Sequence, residues 1–461
     1  MNPKLLPWLW ALVFLIIAGA TRFARLGDWS FAGDEGYTAI EVGTMSTPSL
    51  EDPVMNVVPK VIPLSFALHD AGCRWFGSDE FGSRVLSATF GTLSIPLIVL
   101  LLWPSLGSRT SIIAGLLLLL WPEHLFQSQQ FRFYTFAFFF TSLSLSVALL
   151  GMTRNSAGPL VAACGLGALA VLSHTICAPL LGVVFLAEVA RCLRLKKWDT
   201  IRLLIVTAAN LAVVADYFLR VKPLAGNMSK AEFWSPSSLY GVQSAILLIG
   251  WPMFLFAILG AVRMLNRRTS TDLFWLGGMV LWGLQTLVLP AVLPYHADYL
   301  FPLALVMLVP AAVAIELVAS ALVQNSKLLA LTFVLVACLL PLPSVASHYS
   351  DGSRYDFRRA CDFVTDQSLP TDRYAGYNCT VLNRYLPRHA ENINSPEALA
   401  KLQEMRSQPG RIWIVLTRGR NPLPEDLAVW LREHTTLKKQ FRKQRFDYHD
   451  YAVDVYLDTG R

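Results

Sequence analysis

The chain has 461 residues, of which 54% are hydrophobic and only 15% charged, against roughly 25% charge in soluble globular chains. That deficit, with a mean hydropathy of +0.46, excludes a chain built only of soluble domains; 11% aromatic residues exclude a disordered one. Gly 28 and Cys 7 exclude collagen-like and disulfide-dense secreted proteins, and the net charge of +7 reads as basic membrane loops, not as a nucleic-acid partner.

The apolar residues fall in blocks about long enough to cross a bilayer, which takes roughly 20 residues. The first runs from Leu5 to Gly19, is followed by Arg22 and Arg25 without a small-residue cleavage site, and reads as a retained anchor. Further blocks lie at 84–103, 111–126, 133–152, 159–173, 175–190, 201–220, 241–262, 273–293, 299–323 and 327–346. The expected fold class is an α-helical polytopic membrane protein with about 11 transmembrane helices in residues 1–346. A small external α/β domain follows at 347–461.

Basic residues set the expected sidedness. With Lys4 in the cytoplasm, Arg109, Arg154, Arg191, Arg194, Lys196, Lys197, Arg263, Arg267, Arg268 and Lys327 all fall inside. The C-terminal segment then lies outside, which in a bacterium is the periplasmic face of the inner membrane. Within it, 354–367, 396–407 and Pro424–His434 read as helices, and Arg411–Thr417 and Tyr451–Leu457 as strands. The stretch 21–82 reads as a long first external loop, and loops of that length are usually functional or disordered.

Polar residues gather at the predicted outer ends of the spans. Asp34 and Glu35 follow the first span. Glu123 and His124 read as a short outer turn after the third, and Arg132 and Tyr134 open the fourth. His174 lies at the turn between the fifth and sixth spans, Lys222 and Lys230 follow the seventh, and His296 and Asp298 precede the tenth. Ionisable groups near membrane depth are costly and mark function by default. Each also has a plainer role: a solvated acid pair, a helix-end histidine bonded to backbone, an arginine snorkelling to the headgroups.

A carboxylate can act as general base on an acceptor hydroxyl or amine. Arg and Lys can hold a phosphate leaving group, and aromatics can stack on sugars. Together they suit sugar transfer from a lipid-linked phosphate donor. A transporter or flippase of lipid-linked glycans is the alternative. It predicts ionisable residues near mid-span and paired repeats, and no repeat is visible. A non-catalytic assembly protein leaves the polar convergence unexplained.

Four stretches resemble a known family. They are Gly33-Asp34-Glu35-Gly36-Tyr37; Ile62-Pro63-Leu64 with Trp75 to Val85 (WFGSDEFGSRV); Pro122-Glu123-His124 with Ser128 to Tyr134 (SQQFRFY); and Tyr355-Asp356-Phe357-Arg358. The chain resembles the polytopic C-type (GT-C) glycosyltransferases, specifically the bacterial relatives of protein O-mannosyltransferases and of the lipid A aminoarabinose transferase. The resemblance implies Asp34 as the catalytic carboxylate with Glu35 assisting, and Arg132 near the donor phosphate. Lys60 is expected as a second phosphate partner, and Tyr134, Glu123, His124 and His174 as the further residues of the substrate site. The chain departs from the family at Gln130, where Glu is common, and at Asp298, where relatives carry Arg.

The implied partners are a polyprenyl-phosphate sugar donor, a lipid, glycan or protein acceptor, and membrane lipids. Asp34, Glu35, Glu123, His124 and His174 could supply ligands to a divalent metal ion, though no tight ligand motif is present. Cys361 and Cys379 share the external segment, where a disulfide or two free thiols are both open.

Overall fold

The computed structural model describes residues 4–45, 58–225, 238–292, 297–351, 354–393, 397–417, 423–441 and 452–460. His296 and Lys230 lie outside them. The chain divides into two compact units. The first comprises 1–24, 52–71 and 84–345; the second comprises 25–51, 72–83 and 346–461. Parts of the expected first external loop therefore group with the C-terminal residues.

The first unit is helical. Among the described residues eight helices are long and apolar enough to cross a membrane: Leu6–Phe23, Glu80–Leu106, Tyr134–Thr153, Thr175–Leu195, Thr200–Leu224, Ser270–Pro290, Leu305–Val323 and Lys327–Ser350. Two bent pairs raise the number to ten, and Ala157–Ser173 is a shorter apolar helix. Each expected block has its counterpart, but two of them are broken. Ser108–Leu120 and Pro122–Ser128 meet at 60°, and Gly241–Ile249 and Trp251–Arg267 at 95°. Pro122 drives Trp121 out of the helical region, to ψ 115°. At the second break Gly250 has φ +85°, and Pro252 opens the next helix.

Side chains close the exposed ends of these helices. Asp199 caps Thr200–Asp216 by accepting from Arg202 N–H at 3.3 Å, and Ser326 caps Lys327–Leu339 from Leu329 N–H at 3.3 Å. Buried Glu188 accepts from Arg191 at 2.8 Å and from both Arg202 Nε, at 3.0 Å, and Arg202 Nη2. Arg202 also donates to the Gly151 and Ser156 carbonyls, closing the end of Tyr134–Thr153. Helices approach closely where Cβ is missing: a methyl on Gly260 would stand 1.9 Å from the Pro310 carbonyl oxygen.

The second unit carries a five-stranded mixed sheet. Its strands are β1 (Arg373–Gly376), β2 (Ala390–Asn392), β3 (Ile412–Thr417), β4 (Thr436–Phe441) and β5 (Val453–Asp458), in the order β2-β1-β3-β5-β4. β1 runs parallel to β2 and β3, and β5 antiparallel to β3 and β4. Helices Ala398–Ser407 and Glu425–His434 bury Leu402, Met405, Leu427, Trp430 and Leu431 against Ile412, Ile414 and Leu416. Cys361 and Cys379 are buried free thiols; burial pushes Cys379 up to about 12.

Residues 33–41 and 63–76, expected as external loop, are helices. Gly33 and Gly36 are poor helix formers, and the contacts described below override that preference.

Candidate active site

In the second unit, the helix Gly33–Glu41 carries the acid pair at its positive end, where carboxylates are favoured. Glu35 turns back to accept the Ala32 N–H at 2.8 Å, satisfying one of the helix's open donors. Its side chain is fully buried, 3.6 Å from the buried guanidinium of Arg354. Consecutive helix positions point about 100° apart, since a turn holds 3.6 residues. With Glu35 turned inward, Asp34 is exposed. The two acids thus occupy different settings, Glu35 buried and Asp34 exposed.

The segment before this helix is fixed from the C-terminal residues. Ser30 Oγ donates to the Tyr355 carbonyl at 2.8 Å and accepts from Phe357 N–H at 3.1 Å. Phe31 N–H donates to the Tyr385 hydroxyl at 2.9 Å. That hydroxyl donates to Glu80 Oε1, which also lies 2.8 Å from Arg358 and 3.8 Å from Arg384. Arg354, Glu80 and Tyr385 were not among the expected site residues. Glu80 and Arg358 stood in the quoted motifs; Tyr385 gave no sequence signal, lying 354 positions from Phe31.

In the first unit, three expected residues come together. Arg132 is half-buried with its guanidinium 4.5 Å from the Phe133 ring centroid. Tyr134 stacks on His174 at 5.7 Å, and Phe133 and Tyr299 meet His174 edge-on at 4.9 and 5.6 Å. His174 Nδ1 accepts from Ile176 N–H at 3.1 Å, so this nitrogen carries no proton. That backbone bond is the helix-end role open to it from the sequence.

Glu123 and His124 do not form a wet turn. They lie on the buried helix Pro122–Ser128, and Glu123 Oε1 accepts from Gln127 at 2.7 Å. His124 uses both ring nitrogens: Nδ1 with Arg22 at 3.0 Å and Nε2 with Ser94 at 3.0 Å. A guanidinium only donates, and Ser94 spends its proton on the Gly91 carbonyl. His124 is therefore neutral, protonated at Nε2. Arg22 also donates to the Leu118 and Leu119 carbonyls at 3.2 and 3.0 Å, the open end of the broken helix.

Lys60 is exposed on the short helix Val58–Val61. Arg220 donates to the Lys60 and Val61 carbonyls, each at 2.7 Å, and pairs with Asp216. Asp298 is buried on the 3₁₀ segment Ala297–Leu303. Among the described residues no three His, Cys, Asp or Glu side chains are grouped to hold a metal ion. Of the expected donors, His124 has both ring nitrogens engaged and Glu35 lies against Arg354.

No protein-family model matches the sequence, and no curated protein does. Solved structures do. ArnT from Cupriavidus metallidurans in the apo state superposes with a TM-score of 0.56 at 15% identity, covering 98% of each chain. The same protein bound to undecaprenyl phosphate gives 0.54 at 14% identity, covering 97% of this chain and 98% of that one. The Archaeoglobus fulgidus oligosaccharyltransferase, in complex with Zn and sulfate, gives 0.53 at 15% identity, over 88% of this chain and 68% of the other. At such identities the likeness is one of fold: the chain has the architecture of the GT-C glycosyltransferases, an α-helical membrane part with a small C-terminal sheet. With its long apolar helices, it is an integral membrane protein.

Proposed function

We propose that this chain is an integral-membrane glycosyltransferase that takes a sugar from a polyprenyl-phosphate carrier. The observation that carries the reading is likeness over 97% of the chain to a GT-C enzyme solved with undecaprenyl phosphate. The acceptor is a hydroxyl or amine of a lipid, glycan or protein.

In this reading the acceptor atom attacks the sugar's anomeric carbon. The bond from that carbon to the phosphate oxygen breaks, and its electron pair leaves with the phosphate. Asp34 takes the acceptor's proton; its exposure supports that role, while Glu35 holds the helix end. Arg132, with Lys60, neutralises the leaving phosphate. Tyr134 and His174 supply a stacked aromatic face beside Arg132 for the carrier or its sugar, supported by their ring contacts. The basic residues of the short loops support transfer at the outer face, with the N-terminus in the cytoplasm.

Transfer from a labelled carrier in proteoliposomes tests the reading. Asp34→Asn should lower the rate about 100-fold or more with the fold intact. A folded variant at wild-type rate removes Asp34 from the chemistry. Movement of the carrier across the bilayer without transfer supports the flippase alternative.

A further inference from the structure

We propose that Tyr385 is a positioning residue for Asp34, acting through the backbone at Phe31 and anchored by Glu80. The inference deepens the glycosyltransferase reading and rests on it for its kinetic consequence.

Asp34 is the second residue of its helix, so its direction depends on where that helix starts and how it is tilted. Three successive residues before or at the start are each held. Ser30 is bonded on both sides by the backbone of Tyr355 and Phe357. Phe31 is bonded by Tyr385, and Ala32 by Glu35. The hydroxyl bond at Phe31 comes from Tyr385, and the Arg384 guanidinium also lies 5.0 Å from the Phe31 ring centroid. The Tyr385 oxygen accepts from Phe31 and passes its own proton bond to Glu80. Burial, with the hydrogen bond to Glu80, pushes the phenol well above its ordinary value, so it stays protonated and keeps both bonds across the working range. Arg358 and Arg384 flank Glu80 and fix it in turn.

The packing supports a positioning role. Tyr385 ends the helix Cys379–Tyr385, which lies along the acidic helix. A Cβ on Gly33 would stand 2.5 Å from Asn378 Oδ1, and one on Gly36 2.6 Å from Val381 Cγ2. Glycine at both positions leaves room for the Asn378 and Val381 side chains to pack directly on the acidic helix, so the anchoring at Phe31 sets how that helix, and with it the carboxylate, is aimed. Misplacing a reacting group by about 1 Å can cost on the order of 100-fold in rate.

Tyr385→Phe keeps the ring and deletes both hydroxyl bonds. The expected result is a kcat about 10- to 100-fold lower with KM within about twofold. Hydrogen exchange should quicken in a peptide spanning 28–41 and nowhere else, with Tm little changed. Wild-type kcat together with wild-type exchange overturns the proposal. So does a loss of rate that comes with a lower Tm and faster exchange throughout 346–461, since that is a folding role. If Tyr385→Phe does not fold, Glu80→Ala, compared with Glu80→Gln, decides: Gln can still accept the hydroxyl and should restore most of the rate. If the wild-type protein transfers no sugar, the functional reading fails, and the exchange measurement still decides on the anchoring.

Discussion

Two buried acids, one in each unit, are neutralised in different ways. Glu188, among the spanning helices, is paired with Arg191 and Arg202, whose side chains are only 6% and 2% exposed. Asp372, beside the sheet, accepts from Arg411, whose side chain is 29% exposed, and from the Trp413 indole at 2.9 Å. Among the spanning helices every charge must be satisfied by protein, and Arg202 spends its remaining donors on helix-end carbonyls. Beside the sheet, one partner can keep its other side in water. The first arrangement fails as a whole when one member goes; the second fails by parts.

The largest expected effect is therefore at Glu188. Glu188→Ala removes the carboxylate that Arg191 and Arg202 share, leaving Arg191 with Asp199 at 3.4 Å and Asn155 at 2.9 Å and Arg202 with two carbonyls, and should cost about 3–5 kcal/mol, read as a lower Tm in detergent. A loss below 1 kcal/mol would show that water reaches the pair. Next is Gly260→Ala, where the methyl meets the Pro310 carbonyl rather than a side chain that can move. Overpacking of this kind costs about 1–3 kcal/mol, and a neutral result would mean the two helices slide apart freely.

Asp372→Asn is milder, at about 1–2 kcal/mol near neutral pH, because Arg411 can turn to solvent. It also carries a pH signature. Burial alone would raise the Asp372 carboxyl, but Arg411, the Leu369 N–H and Trp413 outweigh it and hold it below the ordinary range. A depressed carboxylate contributes its stability above the unfolded value, near 3.9, and loses it as pH falls through the folded one. Acid unfolding followed at Trp413 should lose this component in Asp372→Asn; identical acid profiles would count against it. The smallest effect on stability is at exposed Asp34, where Asn should change it by no more than about 0.5 kcal/mol while transfer is lost.

Much of this architecture was legible as hydropathy. The apolar blocks stand where helices stand, and the two breaks occur at Pro122 and at Gly250 before Pro252. In the second unit the buried strand β3 and the closing strand β5 were readable, as were three helices. What escaped was what sequence periodicity does not carry. β4 (TLKKQF) is an exposed edge strand whose lysines hide any alternation and protect the edge from pairing. β1 and β2 are four and three residues long. The site was half legible. Asp34 and Arg132 stood out as charges beside apolar blocks, but Gly33 and Gly36 disguised a helix as a loop. His124 looked wet because the residue that satisfies it, Arg22, is 102 positions away.

That contact changes the status of the first apolar helix, Leu6–Phe23. Its arginine reaches inward to tie off two carbonyls and a histidine of a helix that stops short and turns by 60°. A generic membrane anchor grafted in its place would still hold the chain in the bilayer. It would bring no guanidinium to the turn, and the break at Trp121 would be left with open backbone oxygens in a dry interior. The segment is thus a fitted part of the fold, and exchanging it should be read out as loss of the folded core rather than loss of targeting.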